Sequence, residues 1–209
     1  LDMALWLESD RMQFLNVNQK SLTTQQQVVT EEFKETCINQ PYGMVWHMLA
    51  SLCYHHHPYQ WPTIGKKMEH IAEAKLEDVR NFYENFYGPN NAILSVSGPE
   101  SPSLVLEKVK SHFADIPSRN LVRLTRQNEP DQTDSRSQEE DGKYPSSVLY
   151  MAWLMDGRNG KDYYGFDLLS DVMSLGRSSL FYQNLVKVKK ICAFVDAYIT
   201  GTEDRGLFI

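Results

Sequence analysis

The sequence has no long hydrophobic run and no visible targeting signal. Its longest apolar run, 148–155, has eight residues, whereas a helix that crosses a membrane needs about 20. The chain starts with neither an initiator Met nor a basic stretch that leads into an apolar one. We therefore predict no membrane span, and we interpret the chain as a processed or excised fragment.

Cysteine and clustered positive charge are also scarce. The 209 residues include three cysteines, none in a C-x-x-C pattern, which argues against a disulfide framework and a cysteine-based zinc knuckle. Lysine and arginine total 21 against 27 aspartates and glutamates, and the basic residues cluster only at 187–190. A nucleic-acid partner is therefore not expected. The content of 42% hydrophobic and 23% charged residues is that of a globular protein.

One segment lacks hydrophobic side chains altogether. Residues 125–143 are nineteen consecutive positions without a member of the hydrophobic set. Such a stretch cannot bury enough apolar surface to offset the entropy lost on ordering it. We therefore predict two units, 1–117 and 144–209, joined by an exposed polar linker at 118–143.

The remaining sequence shows helical and strand patterns in alternation. Apolar spacing and turn residues predict helices at 2–14, 24–38 with Thr24 as N-cap, 43–53, 76–87, 103–113, 162–175 and 178–190. Alternating or continuous apolar runs predict strands at 92–97, 148–155, 191–200 and 206–209.

The carboxylate of Glu32 occupies an unexpected position on the second of these helices. On a helical wheel Glu32 falls within the apolar arc, and Gln25, two turns earlier, falls about 20° from it. An unpaired buried carboxylate costs several kcal/mol. Glu32 is therefore expected at the rim in water, neutral, ion-paired, for example with Arg11, or bound to a cation. The pattern favours a rim position or an ion pair and leaves a metal site open.

The run His55-His56-His57 is a weaker metal candidate. Two alternate imidazoles on an extended segment could face one metal ion, but no carboxylate or cysteine lies at ligand spacing. A loop in which His57 precedes a structural Pro58 is the favoured interpretation.

Several blocks of sequence, taken in order, carry a family resemblance. They are Gln25–Glu32, Asn39–Gly43, His57–Gly65, Leu76–Ala92 and, past the linker, Gly176–Val186, with an opening at Ala4–Met12 similar to bacterial members. Together they resemble the pitrilysin/insulinase family of zinc metallopeptidases. The resemblance implies an α+β fold like that of the processing peptidases, with two-layer units of mostly antiparallel sheet and helices packed against them.

The resemblance also implies a zinc site to which this chain contributes little. In the family, two histidines of an inverted H-x-x-E-H motif and a glutamate on a later helix hold zinc, and the motif's own glutamate activates water. Glu32 matches the third ligand. None of the six histidines occurs in that motif, which we expect upstream of Leu1. With one ligand of three and no general base, we expect no catalytic residue here and no tight zinc binding by the chain alone. Gln25 stands where many relatives place a supporting glutamate, and its amide lacks the acidic group.

A second functional pair of the family is altered in this sequence. The half of the enzyme that engages substrate has an arginine and a tyrosine seven residues apart, and the corresponding positions here are Lys187 and Phe194. Lysine lacks the planar fork of arginine, and phenylalanine has no hydroxyl to donate. The resemblance therefore places the chain in the zinc-bearing half, with structural roles for both residues.

These expectations combine into one functional hypothesis with two alternatives. The resemblance implies a fragment of a zinc endopeptidase that hydrolyses peptide bonds with metal-activated water and is inactive by itself. Its partners would be a peptide or protein substrate and a second peptidase half, tethered or separate. The alternatives are a non-catalytic structural or assembly subunit of the same fold and the inactive partner half of a two-subunit peptidase. The bacterial periplasm, the cell envelope and the cytoplasm all remain open as compartments.

Overall fold

The computed structural model describes residues 1–122 and 125–209. Arg123 and Leu124, which belong to the predicted linker, lie outside the described residues. The helices are α1 (Asp2–Phe14), α2 (Gln19–Phe33), α3 (Val45–Cys53), α4 (Met68–Glu73), α5 (Leu76–Phe86), α6 (Pro102–Phe113) and α7 (Tyr163–Ser174). The strands are β1 (Trp153–Met155) and β2 (Gly206–Phe208). Short π-helical turns occupy Lys34–Ile38 and Tyr182–Val188.

The chain folds into two compact units that interleave in sequence. The first unit contains Leu1–Lys34 and Lys67–Thr125, and the second contains Glu35–Lys66 and Arg126–Ile209. Residues 35–66 thus lie with the C-terminal part of the chain, because Tyr54 packs in one cluster with Leu207 and Ile209. The assignment of 1–117 and 144–209 to two successive domains stays a prediction.

The first unit is a set of helices, in which α1 contacts α6 and α2 contacts α4. Helix α2 begins at a capping box. The Asn18 side chain accepts the backbone N–H of Ser21, and the Ser21 hydroxyl accepts the N–H of Asn18. The prediction of Thr24 as N-cap is therefore wrong, since Asn18 and Ser21 already satisfy the first free N–H groups. Thr24 lies inside the helix, where its hydroxyl donates to the carbonyl of Lys20.

The chain turns sharply after the π-helical turn, at the predicted stop. Tyr42 adopts a φ of 62°, a left-handed conformation that few residues other than glycine take readily. At Gly43 a Cβ atom would lie 2.4 Å from the carbonyl oxygen of Cys37. Only glycine permits this close approach, so the turn fixes where the helical segment ends and α3 starts.

The core of the second unit is built around the strand β2. It pairs antiparallel with β1 in the register Trp153↔Phe208, Leu154↔Leu207 and Met155↔Gly206. Successive side chains of a strand point to opposite faces. Accordingly, Leu207 packs with Cys53, Tyr54 and Ile209, while Phe208 packs with Met155 and Ala197 and against aromatic residues of α7.

The strands are shorter than the apolar runs predict. Of the run 148–155 only Trp153–Met155 forms a strand, and 191–200 contributes a single bridge between Ile199 and Phe208. Residues 92–97 form no strand within the part of the chain that the structure describes. An apolar pattern predicts extended backbone, but a strand also needs a hydrogen-bonded neighbour. The described chain is therefore mostly helical, with a small antiparallel sheet.

Two further differences concern helices. The predicted helix at 178–190 is a π-helical turn over Tyr182–Val188, and α4 was not predicted at all.

Among the helices in residues 1–122 and 125–209, none combines the length and hydropathy that a membrane crossing requires.

Candidate functional site

Glu32 lies in the last turn of α2 and is exposed. Its neighbour Phe33 is 4% exposed, so the apolar face passes directly beside the carboxylate. The helical wheel therefore predicts the burial of Phe33 correctly, whereas Glu32 and Val28, which it places in the same apolar arc, are exposed. The exposure of Glu32 is compatible with a place at the rim of the apolar face, and Arg11, the ion-pair partner suggested above, pairs with Glu8 of its own helix.

Gln25 is also exposed, and the glutamine that fixes α2 is its neighbour Gln26. The Gln26 amide nitrogen lies 3.0 Å from each of the carbonyl oxygens of Ile71, Ala72 and Ala74. These carbonyls belong to the C-terminal end of α4, where helical carbonyls lack intrahelical partners. Gln26 therefore joins α2 to α4 and holds the helix that presents Glu32.

The described residues do not assemble a metal centre. Across residues 1–122 and 125–209, no three side chains among His, Cys, Asp and Glu lie close enough together to hold an ion. Protein zinc sites use three or four nitrogen, sulfur or oxygen ligands. Glu32 offers one carboxylate, so the donor set does not fit a zinc site that is complete within this chain.

Lys187 and Phe194 are both at the surface of the second unit. Lys187 lies exposed in the π-helical turn, and Phe194 is 78% exposed. Phe194 is therefore not a core side chain. Whether either residue engages substrate stays a prediction.

Phe194 lines a concavity between α7 and the segment 194–199, and the volume of this concavity is about 450 Å³. Its described lining includes Asp167, Asp171 and Asp196 and has no lysine or arginine. The Ser174 hydroxyl lies 2.9 Å from an Asp196 carboxylate oxygen and 3.0 Å from the carbonyl oxygen of Ala197. Ser174 therefore bonds the Asp196 side chain and the Ala197 backbone at this concavity.

The most enclosed charged group in the second unit is Glu129, a residue of the predicted linker. It is 6% exposed. One of its carboxylate oxygens accepts the backbone N–H of His55 at 2.8 Å, and the other accepts those of His56 and His57 at 2.8 and 2.9 Å. We call these three N–H groups the amide nest. The bonds join positions 72 to 74 residues apart, so no local sequence pattern could have revealed them.

The amide nest keeps the Glu129 carboxylate ionised. Burial acts to raise the pKa of Glu129, but the N–H donors of His57, His56 and His55 outweigh it and hold the pKa below its usual value. The arrangement thus binds an anion through backbone dipoles.

The His57 ring belongs to the last residue of the amide nest and is itself held by hydrogen bonds. It is 3% exposed. Its Nδ1 accepts the backbone N–H of Tyr59, and its Nε2 lies 3.2 Å from an oxygen of Asp204. Since Nδ1 accepts, the ring proton is on Nε2, which donates to Asp204. Both ring nitrogens are engaged, in agreement with the interpretation of His57 as a loop residue before Pro58.

Two arginines complete this cluster. Arg126 donates to Asp204 at 2.7 Å, and that bond, with the one from His57, holds the pKa of Asp204 below its usual value against the effect of burial. Arg205 donates to an oxygen of Asp131 at 2.7 Å and to the backbone carbonyl of Glu129 at 3.3 Å. These bonds therefore anchor the chain on both sides of Glu129, at Arg126 and at Asp131.

Comparison with known proteins assigns the greater part of the chain to a family. Residues 73–209 match the family described as "Peptidase M16 inactive domain". The chain is 28% identical over 213 aligned positions to "Zinc protease PqqE" of Helicobacter pylori, covering 100% of this chain and 48% of that protein. It is 23% identical over 205 positions to "Uncharacterized zinc protease YmxG" of Bacillus subtilis, covering 91% and 45%. The chain thus spans about half the length of the curated relatives it matches.

Solved structures show the same similarity. A protease from Helicobacter pylori matches with a TM-score of 0.80 and 28% identity over 99% of this chain and 51% of that one. A peptidase M16 inactive domain from Pseudomonas fluorescens matches with a TM-score of 0.78 and 20% identity, covering 98% and 49%. The second likeness concerns the fold alone.

Proposed function

Since the chain belongs to the family of the peptidase M16 inactive domain, we propose that it is part of one half of a zinc-dependent endopeptidase. The match of residues 73–209 carries the proposal, and the zinc-protease relatives support it. Zinc in such an enzyme supplies an activated water for peptide-bond hydrolysis. The proposal concerns a longer protein, because this chain spans about half of its relatives.

Within that protein, Glu32 is proposed as one zinc ligand. Support comes from its place at the exposed end of α2, a helix with a capped start that Gln26 ties to α4. A ligand needs such a rigid base, because metal sites tolerate little displacement. Gln25 lies seven residues earlier on the same face, about 10 Å along the axis, and is proposed as a supporting residue.

The chain by itself is proposed to be inactive. One carboxylate does not complete a metal site, and the remaining ligands and the water-activating base would come from outside these residues. A second half, tethered or separate, would enclose a peptide or protein substrate. In the complete half, additional strands would extend the small sheet into the α+β layers typical of processing peptidases.

A non-catalytic role for residues 73–209 is the second candidate. The family that matches these residues is described as an inactive domain. These residues would then support substrate binding or assembly, whether in a peptidase or in a structural subunit of the same fold.

Substitution of Glu32 in the full-length protein tests the proposal. Glu32→Gln is expected to lower the zinc content and to reduce kcat for peptide cleavage by at least about 100-fold. Loss of a residue that only hydrogen-bonds to a metal ligand typically costs about 10- to 100-fold, and loss of the ligand itself should cost more. Zinc is measured by elemental analysis and cleavage with a fluorogenic peptide library. Full zinc content and full activity in Glu32→Gln would overturn the assignment of this ligand.

Glu31→Gln is the matched control. Glu31 is the adjacent carboxylate on α2, and it forms an exposed ion pair with Lys34 at 2.7 Å. Such pairs contribute little to stability, so this variant should keep both zinc and activity. The absence of peptidase activity in the full-length wild type, together with an eroded H-x-x-E-H motif upstream, would favour the structural subunit.

A further inference from the structure

The amide nest is a carboxylate-binding site in its geometry. Three consecutive N–H groups converge on one carboxylate, and both carboxylate oxygens are used. Pro58, which follows, has no N–H, so the row of donors ends at His57. Backbone N–H groups in such a row form a concave anion site. Charge-assisted bonds of this kind are roughly twice as strong as neutral ones.

The carboxylate that fills the amide nest comes from a segment without regular secondary structure. From 125 to 143 every residue except Glu129 is exposed. The segment is held by exchangeable polar contacts, including Arg126 with Asp204 and Arg136 with the carbonyl of Leu52. It contributes no side chain to either buried hydrophobic cluster of the unit. Glu129 therefore occupies the site as an intramolecular ligand would.

The donor set accommodates a monoanionic carboxylate, as its occupation by Glu129 shows. Among the residues that the structure describes, the donors to the Glu129 carboxylate oxygens are backbone N–H groups. The nearby guanidinium of Arg205 is engaged with Asp131 and with the backbone carbonyl of Glu129. Phosphate recognition typically uses arginine or lysine directly on the oxygens. The group observed in the site is a planar carboxylate, whose two oxygens use all three donors.

We propose that the N–H groups of His55, His56 and His57 form a binding site for a peptide carboxylate, which Glu129 occupies until the segment 126–136 is displaced. The ligand is the C-terminal carboxylate of a peptide or an acidic side chain, which share this chemistry. Backbone nests capture peptide carboxylates in other recognition modes. The proposal does not depend on peptidase activity.

Removing the resident ligand tests the site in the full chain. In Glu129→Ala, hydrogen exchange at the amides of His55, His56 and His57 should accelerate about tenfold or more, because their acceptor is gone. Acetate should bind in the vacated site and restore protection, whereas chloride at equal ionic strength should not. Glu139→Ala, an exposed carboxylate of the same segment, is the control and should leave the three amides unchanged.

Three acetylated peptides identify the source of the carboxylate. The first has a free C-terminus, the second is its C-terminal amide, and the third is an amide with a glutamate side chain. Binding is followed by the amide resonances of residues 55–57 in Glu129→Ala and in the wild type. We expect the free acid or the glutamate peptide to bind the variant at least about tenfold more tightly than the wild type. The plain amide should not bind.

A second variant separates binding from folding. Glu129→Gln keeps the shape of the side chain and one acceptor oxygen but loses the charge, so it should retain the fold and bind acetate more weakly than Glu129→Ala. The proposal is overturned if no carboxylate shifts the three amides in either variant. It is also overturned if the acids bind wild type and variants equally, because that places them elsewhere.

Discussion

At the residue scale, the exposure of Phe194 and Lys187 determines what their replacement should cost. Phe194 is 78% exposed, and Lys187 lies at the surface. Substitutions at such positions usually change the free energy of unfolding by less than about 0.5 kcal/mol. We therefore expect Phe194→Leu and Lys187→Ala to have nearly wild-type unfolding midpoints in urea.

Phe208→Leu is the matched control for Phe194→Leu. Phe208 is 7% exposed and packs against Phe166 and Trp153, so its truncation should cost about 1–3 kcal/mol.

In the full-length protein, a hundredfold loss of kcat in Lys187→Ala with an unchanged melting temperature would show that this half engages substrate through that position.

Burial of single residues could be predicted only in part from the sequence. The helical wheel places both Glu32 and Phe33 within the apolar arc, and of these two only Phe33 is buried. What covers the face is decided by distant parts of the chain. The burial of Glu129 could not be predicted, because this residue lies within the nineteen positions that lack a hydrophobic side chain. Its donors lie more than 70 residues away, and they are backbone groups that no residue type identifies.

At the scale of elements, the start of α2 provides a test between two cap residues. Asn18→Ala removes the acceptor for the N–H of Ser21 and should destabilise the chain by about 1 kcal/mol. Thr24→Ala should cost less than about 0.5 kcal/mol, because Thr24 is inside the helix and Ala favours helix. Urea denaturation of both variants measures the difference. A larger loss in Thr24→Ala than in Asn18→Ala would contradict the observed cap.

Helices were predicted more fully than strands, for a physical reason. The helices at 2–14 and 76–87 are confirmed as α1 and α5 within a residue at each end. A helix closes its hydrogen bonds within itself, so spacing and caps largely define it. A strand closes them with a neighbour. The run 148–155 therefore becomes a strand only where β2 lies beside it.

At the scale of the whole molecule, the interleaved units make the chain sensitive to where it is cut. A piece with residues 1–117 keeps α3 but loses Leu207 and Ile209, which pack with Cys53 and Tyr54. We expect hydrogen exchange in α3 to accelerate in this piece relative to the full chain, because its buried contacts are gone. The amides of α2 and α4, whose partners are retained, serve as the internal reference. Equal protection of α3 in both forms would show that residues 35–66 fold without the C-terminal part.

The family could be recognised from blocks of sequence, while the contacts of residues 35–66 could not. The partners of Cys53 and Tyr54 follow the polar segment in the chain, and no local sequence pattern links them. The compact units depend on contacts between Tyr54 and the C-terminal strand, which are distant in sequence.

The use of backbone donors in the amide nest has a consequence for evolution. Any residue except proline supplies an N–H group, so the side chains at 55 and 56 can drift without removing a donor. Selection on this site would act on the loop conformation and on the acidic position opposite it. Relatives could therefore retain the site while sharing no histidine with this chain, and a search for a histidine motif would miss them.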